Sequence, residues 1–126
     1  MGIYLSNKNE IPDLVISSTA HRAKITAEMA MTHGKWSCPL KFDTGIYSDD
    51  LNFLLQLINN QDNSPSSICL VGHEPNFSNF IALSTSDTYQ SFPKGSMARI
   101  DFDVESWEEI VMGYGRLNWR VEPEDI

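Results

Sequence analysis

The sequence predicts an α/β fold: a three-layer α/β/α sandwich with a mostly parallel sheet and antiparallel C-terminal strands. Strand-like and helix-like segments alternate over the first two thirds of the chain, and that order favours parallel strands joined by right-handed crossovers. The last third holds short alternating runs broken by glycines, a pattern typical of an antiparallel meander. No linker, repeat or low-complexity segment interrupts the 126 residues, so we expect one domain over 1–126.

Composition and charge narrow the classes of function. Hydrophobic residues make up 41% and charged residues 21% of the chain, as in an ordinary globular protein. The formal net charge of -8 argues against nucleic acid and against a membrane surface as partners, because no basic patch offsets it. No apolar run reaches the length of a membrane helix. Cys38 and Cys69 are no disulfide framework, which favours a reducing cytoplasm.

The first elements are a helix end, a strand and a helix. Residues 1–7 resemble the last turns of a helix, and 13–17 form a short β-branched strand. Ser18 and Thr19 are suitable N-caps for the next helix, which ends at Gly34, a typical stop residue. That helix has a face of small residues suited to lying close on a sheet: Ala20, Ala23, Ala27, Ala30 and Met31.

The middle of the chain predicts a second strand and helix. Residues 40–43 form a weak strand, and 44–47 a connecting loop. A helix begins at 48–50, where Asp49 and Asp50 suit the first turn. We prefer this capping role to a metal site, because no third ligand lies at useful spacing. The helix carries an amphipathic stripe of Leu51, Leu54, Leu55 and Ile58, and a polar loop follows over 59–67.

The stretch 68–76 organises the rest of the chain. Ile68 to Val71 is a short apolar run that predicts a buried strand, and Gly72 ends it directly before His73. Pro75 and Asn76 then lead into a helix. Its predicted inner face consists of Phe77, Phe80, Ile81 and Leu83.

The C-terminal third predicts strands after a long polar loop. The loop covers 83–94, and 97–102 alternates apolar and polar residues as a half-exposed strand does. Residues 103–108 form a turn around a tryptophan. Two further strand candidates follow, 109–114 and 116–121.

These elements place several polar side chains at one edge of the sheet. His73 follows a strand directly, and in open α/β sheets ligands bind at the carboxyl ends of the strands. Arg22 lies in the first turn of a helix, where the helix dipole favours anions rather than a cation, so an oxygen pair of a phosphate would suit its planar fork. Ser18 and the loop 93–96 could join them in an anion site. An arginine that is simply solvated is the alternative.

The remaining charged candidates have simpler interpretations. His21 and Lys24 could widen the anion site, but we interpret both as surface residues. His33 lies near a helix end, where a positive charge is favourable. Glu74 is a candidate general acid beside His73, although a solvated loop carboxylate is the simpler interpretation.

Four segments together resemble the histidine phosphatase superfamily, and in particular its SixA-type phosphohistidine phosphatases. SSTAHRAKITAE at 17–28 is similar to the family segment SSPxxRAxxTAE, and VGHEP at 71–75 is similar to VGHNP. FPKGSMA at 92–98 is similar to the turn FPTGAxA, and the tail over 101–119 also matches. The resemblance runs in order over nearly the whole chain.

The resemblance implies a phosphoglycerate-mutase-like fold and a site without metal or cofactor. It implies that Arg22 clamps phosphate and that His73 is the second histidine of the pocket, which stabilises the phosphoryl group. Ser18 and Ser96 would border the substrate. The implied reaction passes a phosphoryl group to a nucleophilic histidine and then to water, with covalent catalysis and charge stabilisation.

The sequence departs from the family at the nucleophile. The family carries it in an RHG or RHA motif on a first strand, and neither His21 nor His33 matches that motif. The chain therefore resembles a family member that lacks its first strand. Met1 could be internal to a longer protein, the chain could be truncated, or it could be a degenerate relative.

Loss of that strand would expose strand edges, which invites pairing. We therefore expect poor stability alone or self-association. The expected partner is a phosphorylated protein or a small phosphorylated compound. A phosphatase is the first hypothesis for function, and a phosphate-binding module without turnover, or a relic, is the alternative.

Overall fold

The chain divides into two compact units in a computed structural model that describes residues 2–47, 51–86 and 93–125. One unit comprises Met1–Ser48 and Ser64–His73, and the other comprises Asp49–Asn63 and Glu74–Ile126. The single domain expected from the sequence stays a prediction. The α-helices are α1 (Gly2–Asn7), α2 (His21–Gly34), α3 (Leu51–Asn59) and α4 (Asn76–Thr85). The strands are β1 (Leu14–Ser17), β2 (Leu40–Phe42), β3 (Ile68–Val71), β4 (Met97–Asp101) and β5 (Arg116–Val121).

A three-stranded parallel sheet in the order β2-β1-β3 forms the centre of the first unit. Val15 of β1 is aligned with Leu40 of β2 on one side and with Cys69 of β3 on the other. All four residues of β1 are buried, as expected for a strand covered on both faces in a parallel sheet. The sheet confirms the predicted mostly parallel α/β class.

Helix α2 crosses from β1 to β2 and turns its small residues inward. Ala23 and Ala27 are buried, as the small-residue face predicted. The predicted helix ends are wrong in detail. The residue before the helix is Ala20, without a side-chain cap, and the left-handed residue after it is Lys35, with φ 57°. Gly34 belongs to the last turn of the helix.

Position 34 has no room for a side chain, because α1 packs against the end of α2. A Cβ on Gly34 would lie 2.6 Å from the carbonyl oxygen of Gly2 and 2.5 Å from the indole nitrogen of Trp36. That indole N–H donates to Gly2 O at 3.2 Å and to Ser6 Oγ at 3.1 Å, and the Ser6 hydroxyl donates to Gly34 O at 2.6 Å. The prediction of a helix over 1–7 is therefore confirmed, and close backbone contact holds this helix against the end of α2.

Strand β3 is one of the two edge strands of the parallel sheet among the described strands, and β2 is the other. All four of its residues are half-buried, so the prediction of a buried strand is wrong in degree. Ser18 N–H donates to Val71 O, and Asp13 N–H donates to Ser67 O. Because peptide groups alternate in direction along a strand, those of Ile68, Leu70 and Gly72 point away from β1.

The second unit contains α3, α4 and an antiparallel pair, β4 with β5. Leu54 and Ile58 of the predicted α3 stripe are buried, while the predicted start of that helix at 48–50 lies outside the described residues. Leu83 of α4 is exposed, which corrects its predicted inward position. Helix α4 also continues to Thr85, so the loop predicted from residue 83 begins later, and its residues 87–92 lie outside the described part of the chain.

The region 109–114 contains no strand, contrary to prediction. The N–H groups of Gly113 and Gly115 both donate to the carbonyl oxygen of Ser84, at 3.0 and 2.8 Å. Gly113 has φ +92°, a conformation that glycine adopts readily. The segment is thus tied to the end of α4 instead of to a neighbouring strand. Two predicted loops contain single 3₁₀ turns, at Thr44–Tyr47 and Trp107–Glu109.

Candidate functional site

Ser18 and His73 meet at the carboxyl edge of the parallel sheet. Ser17 is aligned with Val71 in the β1–β3 pair, and the Ser18 N–H continues the ladder by donating to Val71 O at 2.9 Å. Strand β1 ends at Ser17 and β3 ends at Val71, so Ser18 directly follows β1 and His73 lies two residues past β3 at the same edge of the sheet. This is the sheet edge that the sequence predicted for a site.

The imidazole of His73 contacts the hydroxyl of Ser18. Nε2 of His73 lies 2.8 Å from Ser18 Oγ. Ser18 is fully buried, and its Oγ also accepts the N–H of Ala20 at 3.1 Å. His73 is half-buried. The structure thus brings together two of the four predicted site residues by direct side-chain contact.

Arg22 lies in the first turn of α2, two residues beyond Ala20, and is exposed. Among the described residues, Arg22 has neither an ion pair nor a hydrogen-bonded side-chain partner. This observation fits an arginine that binds an anion, and it fits the alternative of a solvated arginine equally well. The first turn of α2 contains no acidic residue and no side-chain cap. Within the described chain, the N–H groups of residues 21–23 have no acceptor. An uncapped helix start with a cation is suited to an anion.

The neighbouring polar residues have separate contacts. His21 and His33 are exposed, as the sequence suggested. The Lys24 ammonium lies 5.7 Å from the centre of the Phe42 ring, a cation–π geometry. Asp43 follows β2 at the same edge, where its carboxylate accepts the N–H of Gly45 at 2.8 Å.

Ser96 belongs to the second unit, where it follows a turn in which its N–H donates to Pro93 O at 3.0 Å. Its Oγ is buried and has no hydrogen-bond partner in the described part of the chain. Its predicted place at the border of the pocket stays a prediction.

Glu74 stabilises the start of α4. Its carboxylate accepts the backbone N–H of Ser78 at 2.8 Å and also a short hydrogen bond from the Ser78 hydroxyl. An acidic group at a helix start is favourable. This contact gives Glu74 a capping role that neither the general-acid nor the solvated-loop interpretation included.

No group of three or more His, Cys, Asp or Glu side chains suited to a metal occurs among the described residues. In the same residues, none of the helices has both the length and the apolar character needed to cross a membrane. Cys38 and Cys69 are free thiols. The expectations of no metal, no cofactor and a cytoplasmic location remain expectations.

The fold is the one found in SixA structures of the histidine phosphatase superfamily. It is similar to a candidate phosphohistidine phosphatase SixA from Agrobacterium tumefaciens, with a TM-score of 0.79 and 22% identity over 97% of this chain and 75% of that one. It is also similar to a candidate SixA from Nakamurella multipartitia, with a TM-score of 0.76 and 17% identity over 97% of this chain and 77% of that one. No protein-family model matches the sequence, and no curated protein matches it.

These likenesses confirm the predicted fold. The sequence reasoning placed Ser18 and His73 at one edge of the sheet, where the structure has them, but it missed two features of this edge. It assigned Ser18 to substrate, whereas the Ser18 hydroxyl is buried against His73. It also missed the uncapped N–H groups at 21–23, although the absence of any acid in that first turn was visible in the sequence.

Proposed function

We propose that this chain provides the phosphate-binding half of a SixA-type phosphohistidine phosphatase. Arg22 and the start of α2 bind the phosphoryl oxygens, and His73 stabilises the same group during transfer. The nucleophilic histidine is absent from this sequence, since His21, His33 and His73 are its three histidines and none occurs in an Arg-His pair at a strand end. The substrate is a phosphohistidine-bearing protein or a small phosphorylated compound.

One observation supports the proposal most directly. The same unit contains a histidine just past the end of β3 and an arginine at the uncapped start of α2. The first turn of α2 contains no acidic residue that would compete with an anion. A guanidinium charge and hydrogen-bond donors in that arrangement stabilise the charge that a transferred phosphoryl group carries. The likeness to the two SixA structures adds support for the class of reaction.

The first test is protection by anions. Inorganic phosphate and vanadate should raise the melting temperature, since a ligand at 100 times its Kd adds about 2.7 kcal/mol to the free energy of unfolding. Arg22→Ala and His73→Gln should each remove most of that protection, measured by differential scanning fluorimetry. His33→Ala is the matched control, because His33 is exposed on the same helix, and should retain it. Equal protection in all three variants would contradict the assignment.

The second test separates turnover from binding. The intact mass of the protein from its native cell shows whether a longer chain supplies a nucleophile. If that mass exceeds 14.2 kDa by several kilodaltons, the native protein should hydrolyse a phosphohistidine protein, and Arg22→Ala should reduce turnover strongly. A mass that matches this sequence, with anion protection and no product, favours the alternative of a binding module.

A further inference from the structure

The hydroxyl of Ser18 lies 2.8 Å from Nε2 of His73, and Ser18 is completely buried. Its oxygen can accept two hydrogen bonds and donate one. Ala20 N–H already donates to it, at 3.1 Å. The direction of the remaining contact, with His73, decides where the imidazole proton lies.

The burial of Ser18 settles that direction. If Nε2 carried the proton, it would donate to Ser18, and the serine hydroxyl hydrogen would then have no acceptor among the described residues. A buried polar hydrogen without an acceptor is costly. If Nε2 is unprotonated, the Ser18 hydroxyl donates to it and every polar atom of the serine is satisfied.

We infer that Ser18 is a positioning residue that holds His73 as the neutral tautomer with its proton on Nδ1. The inference rests on the proposed function for its purpose: a single fixed tautomer gives the imidazole one defined arrangement of donor and acceptor beside the phosphoryl group. Ser18 itself does not touch the substrate, which replaces the substrate-binding role implied by the resemblance. The second nitrogen of a functional histidine is commonly fixed in this way by a neighbouring group.

Ser17 provides a matched control. It is as completely buried as Ser18 and adjacent to it, but its hydroxyl donates to the carbonyl oxygen of Ser18, at 2.9 Å, and not to the ring. Ser17→Ala therefore removes a buried serine hydroxyl without changing the contact to His73. Ser18→Ala removes the contact, and Ser18→Thr keeps a hydroxyl at the same position.

The experiment is two-bond ¹H–¹⁵N correlation NMR of the ¹⁵N-histidine-labelled chain at alkaline pH, without phosphate. The wild type and Ser17→Ala should show His73 with an unprotonated Nε2. Ser18→Ala should show a mixture of tautomers or the Nε2–H form, and Ser18→Thr should restore the wild-type pattern. An Nε2–H tautomer in the wild type, or an unchanged spectrum in Ser18→Ala, overturns the inference.

A second readout connects the tautomer to anion binding. The Kd for inorganic phosphate should rise about fivefold to tenfold in Ser18→Ala, as for loss of one hydrogen bond, and should stay within twofold in Ser17→Ala. If the wild type shows the expected tautomer but does not bind phosphate, the proposed function fails and the tautomer assignment stands. If phosphate binds equally to all variants, the positioning role fails while the proposed function stands.

Discussion

Two adjacent residues at the end of α2 have opposite backbone requirements. Gly34 has no room for a Cβ, because Gly2 O and the Trp36 indole lie within 2.6 Å of it. Lys35 adopts the left-handed conformation, with φ 57° and ψ 40°, which favours glycine. The sequence predicted Gly34 as the stop residue, since a glycine near a helix end is usually there for its backbone freedom. Here the close approach of α1 is what requires a glycine at position 34, and a contact between two helices cannot be seen in the local sequence.

Exchanging these roles should change stability in opposite directions. Gly34→Ala should lower the free energy of unfolding by about 1–3 kcal/mol, because the added methyl group overpacks a buried junction. Lys35→Gly should raise it by about 1 kcal/mol through relief of left-handed strain. Urea unfolding followed by far-UV circular dichroism measures both free energies. A neutral Gly34→Ala would mean that α1 does not pack closely against α2.

The β4–β5 pair contains the clearest electrostatic cluster at the scale of an element. Asp101 accepts the Asn118 amide at 2.8 Å and Arg99 Nε at 2.8 Å, and the Arg116 guanidinium lies 3.7 Å away. The hydrogen bond from Asn118 is the largest cause that lowers the pKa of Asp101 below its ordinary 3.8; partial burial opposes it, and the arginines reinforce it. A carboxylate with a lowered folded-state pKa stabilises the fold above its unfolded-state pKa.

That stabilisation is lost as the pH falls through the folded-state pKa of Asp101. Asp101→Asn should therefore lower the free energy of unfolding at neutral pH by up to about 1 kcal/mol. The difference from wild type should shrink as the pH falls below the ordinary pKa of 3.8 and vanish once the pH is below the folded-state pKa. Asp103→Asn is the control, because Asp103 is exposed just beyond the strand. Chemical unfolding at a series of pH values tests this, and a constant difference at every pH would contradict it.

Element prediction succeeded where periodicity was strong and failed where a distant carbonyl competed. The i, i+3, i+4, i+7 stripe located α3, and alternation located β4. The strand predicted over 109–114 does not exist, because Gly113 and Gly115 donate to Ser84 O. That pairing joins residues about thirty apart, which no local pattern encodes.

At the scale of the whole molecule, the order of strands and helices was enough to predict the fold class. The residues after β1 and β3 were enough to predict that Ser18 and His73 lie at the same edge of the sheet. The contact between Ser18 and His73 could not be predicted, because it depends on the β1–β3 register across more than fifty residues. The position of Ser96 beside the pocket also depends on a contact between distant parts of the chain, and it stays a prediction.

The outward peptide groups of β3 predict association through that edge. An apolar, uncharged edge strand is a template for another strand, and β3 reads Ile-Cys-Leu-Val. Hydrogen exchange by NMR should show fast exchange at Ile68, Leu70 and Gly72 in dilute protein, and slow exchange at Cys69 and Val71. Protection of the first three should increase with protein concentration, together with the sedimentation coefficient. Cooperative melting of a strict monomer with all five amides protected would count against association.

The backbone N–H of Ser18 is bonded to Val71 while its hydroxyl contacts His73. Ser18 therefore links the alignment of β1 with β3 to the position of the His73 ring. A slip of β3 by a single residue would move the imidazole by about 3.3 Å and turn it to the opposite face. Under the proposed function, only one alignment of these two strands places the His73 imidazole where it can bind an anion, so a measured anion affinity would report that the sheet has assembled in the correct register.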